Sequence, residues 1–309
     1  MTIQKNIPFE VKEIEAKGIL TKCGIPGIDW VVNPYIGCRF GCKYCYASFM
    51  GRFVGKKIAD WGEYVYPKIN APELLAKEIE RKLPDKGRGK EVFFSSVTDP
   101  YQGLEAKYQL TRRCLEVLAD WGFAGTLSVL TKSNLVTRDI DILKRFQQAV
   151  VGLTVTSVDD GISRYFEKYA PPASERFEAL RKLNQAGLRT YAFIGPLLPH
   201  FVADEAGLEE VFQKLVEAGT KDVYVEHLNL SSYIRGRLMA EMKGTDKEIL
   251  RKFYSSQTKE HRKELEDLVG RLVKKYRMNL LLDLVIFHRE FQDLGKKGIR
   301  RDRGNYSEF

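Results

Sequence analysis

No uninterrupted apolar run in this chain approaches the ~20 residues needed to cross a bilayer. The opening residues, Met1-Thr2-Ile3-Gln4-Lys5-Asn6-Ile7-Pro8, hold no apolar stretch, so a signal peptide is not expected. Cysteine is scarce and odd in number, five among 309 residues, which argues against a disulfide framework. Free thiols without an export signal point to the cytoplasm. Histidine is scarcer still, with His200, His227, His261 and His288 scattered along the chain. Neither a Gly-x-Gly-x-x-Gly run nor a Gly-x4-Gly-Lys-Ser/Thr run occurs, so the common phosphate-cradling loops are missing. Acidic residues are outnumbered, 41 against 50 basic ones, for a net charge of +9. That balance is compatible with a polyanionic partner, and from charge alone a solvated basic surface is the favoured reading. The excess is densest in Gly295-Lys296-Lys297-Gly298-Ile299-Arg300-Arg301-Asp302-Arg303-Gly304, which reads as a tail or as an ordered clamp.

What is present is an alternation of short apolar runs with amphipathic segments. Strands are expected at 31–36, 91–96, 126–131, 151–156, 189–194 and 222–227. Helices are expected at 71–83, 110–121, 138–148, 174–186 and 208–218, with Ser174 as an N-cap and Gly187 and Gly219 as closing glycines. A long charged helical region is expected at 245–276 and a further strand at 279–287. Strand and helix in turn predict parallel β/α units, here six of them: a partial (β/α)6 TIM-like barrel. The expected organisation is an N-terminal segment at 1–29, a barrel core at 30–230 and a C-terminal helical and basic extension at 231–309. Such barrels carry their chemistry at the carboxyl ends of the strands, where Cys38, Ser96, Thr98, Asp99, Lys132, Ser133, Ser157, Pro196 and Asn229 fall.

The densest chemical signal is Cys38-Arg39-Phe40-Gly41-Cys42-Lys43-Tyr44-Cys45, a C-x3-C-x2-C spacing. Three thiolates on one tight loop hold three irons of a [4Fe–4S] cube and leave the fourth open. S-adenosylmethionine can chelate that iron through its amino and carboxylate groups and be cleaved to methionine and a 5′-deoxyadenosyl radical. A structural zinc site would need a fourth ligand, and no neighbouring Cys or His completes the set.

These cysteines, with Tyr44 before the third, resemble the signature of the radical SAM superfamily. Asn33 through Ala47, Ser95 through Gln102 and Leu130 through Ser133 look like the branch that includes spore photoproduct lyase. The resemblance covers roughly residues 30–230. It implies that Cys38, Cys42 and Cys45 ligate a [4Fe–4S] cluster and that Tyr44, Thr98, Lys132 and Ser157 contact S-adenosylmethionine. It also implies an external one-electron reductant of flavodoxin or ferredoxin type. Tyr44 and Tyr46 match tyrosines proposed to relay the radical, the competing reading being Tyr44 near adenine and Tyr46 in the core.

Spore photoproduct lyase repairs a thymine dimer in DNA and returns a hydrogen atom from a cysteine after the second strand. That position here is Ser96. A hydroxyl cannot replace a thiol in this step, because O–H is the stronger bond and thiols are the easily oxidised group. Cys114 is the other donor considered, and in mid-helix it reads as a buried structural cysteine. Asp99-Pro100-Tyr101-Gln102 is expected to line the cavity, and Glu226 or His227, but not both, to face it. Arg235 and Arg237 suit a phosphate or a plain solvated surface. Three functions stay open: a lyase relative acting on DNA without the cysteine, a radical enzyme acting on RNA or a small molecule, and a non-catalytic nucleic-acid-binding protein with a structural cluster.

Overall fold

The computed structural model describes residues 9–25, 27–199, 205–242, 244 and 247–287. Eleven strands are described: β1 (Glu10–Val11), β2 (Leu20–Lys22), β3 (Trp30–Val32), β4 (Tyr35–Ile36), β5 (Tyr64–Pro67), β6 (Glu91–Phe94), β7 (Thr126–Thr131), β8 (Gln148–Val155), β9 (Arg189–Leu197), β10 (Asp222–His227) and β11 (Asn279–Ile286). Eight of them form one sheet in the order β11-β10-β9-β8-β7-β6-β3-β2. Six strands, β3 and β6 to β10, run parallel in chain order, which is the expected partial (β/α)6 barrel. β11 adds a seventh parallel strand beside β10, and β2 closes the other edge antiparallel to β3. A small sheet, β1-β5-β4, stands apart.

Ten helices follow: α1 (Ala71–Lys82), α2 (Glu105–Tyr108), α3 (Leu110–Trp121), α4 (Ile140–Leu143), α5 (Asp160–Phe166), α6 (Ala173–Gln185), α7 (Glu205–Glu217), α8 (Ser232–Glu241), α9 (Lys247–Ser255) and α10 (Lys259–Tyr276). None is long and apolar enough to cross a membrane. Alternate strand residues build the core under the helices: Val92 and Phe94, Leu127 and Val129, Val151 and Leu153, Ala192 and Ile194, Val223 and Val225. The other set turns inward. There Tyr224 meets Tyr191 and Phe193, at centroid separations of 5.3 and 6.0 Å. Gly152 sits directly against the Tyr191 ring, where any Cβ would collide with it. The barrel is thus packed across its waist, and open chemistry is left to its carboxyl end.

The expected strand at 31–36 divides at Asn33-Pro34. Pro34 cannot donate to a ladder, so β3 stays in the barrel while β4 turns away to pair with β5. That division swings the cysteine loop over the barrel mouth. The expected helix at 138–148 is replaced by a 3-10 turn over Asn134–Asp139 and the single turn α4, and β8 begins at Gln148. Pairing of Gln148 to Val150 with Thr126 to Ser128 decides this, so the ladder overrides local helix propensity. Ser174 is not an N-cap: α6 starts at Ala173 after Pro172, and the Ser174 hydroxyl donates to Asp160 at 2.7 Å. From Lys247 onward the long charged region is two helices, because Thr258 caps a new start by accepting from the His261 amide. Thr245, His200, His288 and the basic run at 295–304 lie outside the described residues.

Candidate active site

The cysteine loop begins at β4 and ends in a 3-10 helix over Tyr46–Val54. Two close approaches shape it. Gly37 has φ +82° and lies against Tyr64, and Gly41 (φ +60°) packs on Gly62 (φ +101°), so that a Cβ on Gly62 would stand 2.8 Å from the Gly41 Cα. Only glycine combines that backbone with that proximity. Gln102, wholly buried, donates to the Gly37 carbonyl at 3.1 Å and accepts from the Arg39 amide at 2.8 Å. The expected lining role of this residue is therefore a tie that holds the loop.

Cys38, Cys42 and Cys45 are free thiols, the first two buried. Burial pushes all three up, Cys42 to about 12. Lys132 draws Cys42 back, and Arg237 and Lys132 do the same for Cys45. Among the described residues no three His, Cys, Asp or Glu side chains converge on a single metal ion. A cube places each thiolate on a different iron, so its ligands stand further apart than ligands sharing one ion. Three soft donors on one loop suit the irons of a cube.

The strand ends supply the remaining polar groups. Asp99 is spent on structure: its carboxylate accepts from the Tyr101 amide (2.9 Å), the Thr131 hydroxyl (2.6 Å) and the Lys132 amide (2.8 Å). Those bonds join the loop after β6 to the end of β7 and set where the Lys132 side chain leaves the backbone. The ammonium of Lys132 lies 5.8 Å from the Tyr44 ring centroid and makes no hydrogen bond or ion pair among the described residues. Burial lowers its pKa, but Cys42, Glu167 and Asp99 outweigh that and hold it above its ordinary value. The Thr98 hydroxyl oxygen is buried and has no partner. Ser157 is buried and its hydroxyl accepts from the Asp159 amide at 2.9 Å, a turn contact that leaves its own proton to give. A free cation near the Cys42 and Cys45 thiols and an unmatched hydroxyl in the loop after β6 suit a ligand bearing a carboxylate and hydroxyls, as S-adenosylmethionine does.

The two tyrosines separate. Tyr44 is buried and donates to Glu167. Tyr46 is 37% exposed and donates to the Ser96 carbonyl, so the reading that put it in the core is corrected. Cys114 lies on the buried face of α3, in a different core cluster from the cysteine loop. Of the neighbours on β10, Glu226 lies against Gly195 on the inward set, whereas His227 packs outward on His261 and Phe287.

Two residues of the site carry no local sequence signal, and a third has a different partner from the expected one. Glu167 and Arg176 form an ion pair with both side chains almost wholly buried. Arg237, expected at a phosphate or a surface, points its guanidinium at the loop and donates to the carbonyls of Cys42, Gly41 and Trp61.

Comparison with known proteins gives the family and the fold. The profile of the radical SAM superfamily matches residues 32–210. An uncharacterised protein of Methanocaldococcus jannaschii is 35% identical over 228 residues, 74% of this chain and 81% of its own length. Spore photoproduct lyase complexed with dinucleoside spore photoproduct superposes with a TM-score of 0.67 at 16% identity, over 89% of this chain and 81% of that one. A variant of that lyase with bound AdoMet and dinucleoside spore photoproduct gives a TM-score of 0.63 at 17% identity, over 89% of this chain and 80% of that one. The chain belongs to the radical SAM superfamily, whose enzymes use a [4Fe–4S] cluster and S-adenosylmethionine and draw their electron from an external reductant.

Proposed function

We propose that Cys38, Cys42 and Cys45 hold one [4Fe–4S] cluster, that S-adenosylmethionine takes the open iron, and that the protein removes a hydrogen atom from a nucleic-acid substrate. The observation that carries the cofactor reading is the ammonium of Lys132, which makes no hydrogen bond or ion pair among the described residues and lies close enough to Cys42 and Cys45 to draw their thiols down. When bound, the cluster supplies the electron that cleaves S-adenosylmethionine and releases the radical that abstracts hydrogen. Lys132 faces the methionine carboxylate as a cation, and Thr98 and Ser157 offer hydroxyl protons. Tyr44 backs Lys132 from within, while Tyr46 stands at the mouth with Ser96, where a radical relay would meet the substrate.

A strip beginning directly after Cys45 supports a nucleic acid as substrate. Phe53 is 62% exposed, and the Arg52 guanidinium lies 5.1 and 4.7 Å from the Phe49 and Phe53 rings. Phe49 in turn meets Tyr233 edge-on at 6.5 Å. Aromatic faces interleaved with cations give stacking platforms for bases. Ser96 supports a second reading, in which the scaffold serves another substrate, because photoproduct repair needs a thiol where this chain has a hydroxyl. The reducing cytoplasm suits either reading.

The test is 5′-deoxyadenosine formation by the anaerobically reconstituted protein with a strong reductant, with and without ultraviolet-irradiated DNA. Product that rises with DNA is expected. Product indifferent to DNA and to RNA removes the nucleic-acid reading and keeps the radical enzyme. No product from a chain carrying four irons removes the enzyme. Ser96→Cys separates the first two functions: a gain of dimer repair means that the rest of a lyase site is intact.

A further inference from the structure

We propose that Arg237 is a positioning residue for the cluster, a fixed cation that clamps the cysteine loop and makes the bound cluster easier to reduce; this rests on the cluster reading above. One guanidinium reaches three carbonyls. Its Nη1 donates to Cys42 at 2.6 Å, and its Nη2 donates to Gly41 at 3.1 Å and to Trp61 at 3.4 Å. Gly41 and Gly62 are the two sides of the close backbone contact that shapes the loop, and Trp61 precedes Gly62. Arg237 therefore fastens both sides of that contact from a residue nearly 200 positions away. The rest of α8 works the same way, because Tyr233, one turn earlier, donates its hydroxyl to the Tyr46 carbonyl at 2.9 Å. The helix thus grips the loop on either side of Cys45. A planar fork with five donors can serve three acceptors at once, and a lysine ammonium on a flexible stem cannot hold the same geometry.

The charge matters separately. Among the described residues Arg237 makes no ion pair within 4 Å; its charge acts on Cys42 and Cys45, and Glu241, one turn on in α8, is the acidic group that also faces it. Arg176 is also close, but Glu167 neutralises it. One-electron reduction by the external donor adds one negative charge to the bound cluster and moves no proton. A cation fixed within a low-dielectric loop favours that more negative state, and iron–sulfur potentials follow local charge and hydrogen bonding.

Two variants of the reconstituted protein separate clamp from charge. Arg237→Gln keeps amide donors and removes the cation. Arg237→Lys keeps the cation and gives up the fork. The readouts are iron per chain and the fraction of reduced cluster by paramagnetic resonance at fixed potentials. With four irons bound, Arg237→Gln is expected to lower the reduced-to-oxidised ratio about tenfold, about 59 mV for one electron, while Arg237→Lys shifts it less than threefold. Where Arg237→Gln loses its iron, retention by Arg237→Lys supports the proposal as well. Unchanged ratios in Arg237→Gln, or equal shifts or equal iron loss in both variants, overturn the charge role and with it the proposal. Parent protein that takes up no iron would instead remove the cluster reading.

Discussion

Tyr44 donates its hydroxyl to the carboxylate of Glu167, 123 residues further along the chain. The same carboxylate receives Arg176, and the Thr156 hydroxyl approaches it at 3.3 Å. A residue in the middle of the cysteine motif is thereby tied to the segment that follows β8, with Lys132 over its ring. The aromatic before the third cysteine has a reason here besides contact with a cofactor: it links the loop to a buried charge network.

Removing one partner of that network leaves an uncompensated buried charge, so Glu167→Gln is expected to cost about 3–5 kcal/mol. Its pH dependence has a definite sign. Burial pushes the Glu167 carboxyl up, but Arg176 and Lys132 together overcome this and hold it below its ordinary 4.5. The carboxylate's contribution is therefore complete above pH 4.5 and is lost as pH falls through the lowered pKa. Urea unfolding of the metal-free chain across acidic pH should show a constant gap between parent and variant above that value and a closing gap below it.

Lys132→Met should leave four irons bound and weaken S-adenosylmethionine about 10- to 100-fold, the range for a lost charge-assisted hydrogen bond. Anaerobic binding titrations check this. Equal affinity in both proteins would assign the carboxylate to another residue.

Thr98→Val carries two opposite signs. A buried hydroxyl without a partner costs about 1–3 kcal/mol, so its removal should raise stability, by up to about 1 kcal/mol after repacking. Affinity for S-adenosylmethionine should drop about three- to tenfold over the same change. A hydroxyl serving the turn alone would give the reverse, a loss of stability with unchanged affinity.

Gly62→Ala places a Cβ 2.8 Å from backbone at φ +101°. The expected loss is about 2–3 kcal/mol, together with less than half the parent's iron content. Gly55→Ala is the control, with φ +74° and nothing within 4 Å of the added carbon. It should cost only about 1 kcal/mol and leave iron unchanged.

Periodicity read well wherever one element is amphipathic along its whole length. The strands Thr126–Thr131 and Asp222–His227 and the helix Leu110–Trp121 appear at the expected residues, because one apolar face in each is buried against the next layer. It failed at 138–148, where the pairing of β8 with β7 outweighs the local preference. It also failed at Asn33-Pro34, where the proline divides one run between two sheets.

The sequence by itself determined the cofactor chemistry, because three thiols within eight residues are close whatever the rest of the chain does. It also determined the parallel barrel, since alternating strand and helix patterns leave few other ways to bury their apolar faces. Only the tertiary structure decided which polar residues act on the loop. Glu167 and Arg176 sit in a segment without any motif, Arg237 reads from sequence only as a phosphate or surface residue, and the loop residues that Glu167 and Arg237 hold lie more than 100 positions away, beyond the reach of local pattern. It likewise decided that Asp99 is spent on joining the loop after β6 to β7 and Gln102 on holding the cysteine loop while Lys132 and Thr98 stay unpaired, since a side chain's function depends on whether the fold has already matched its hydrogen bonds.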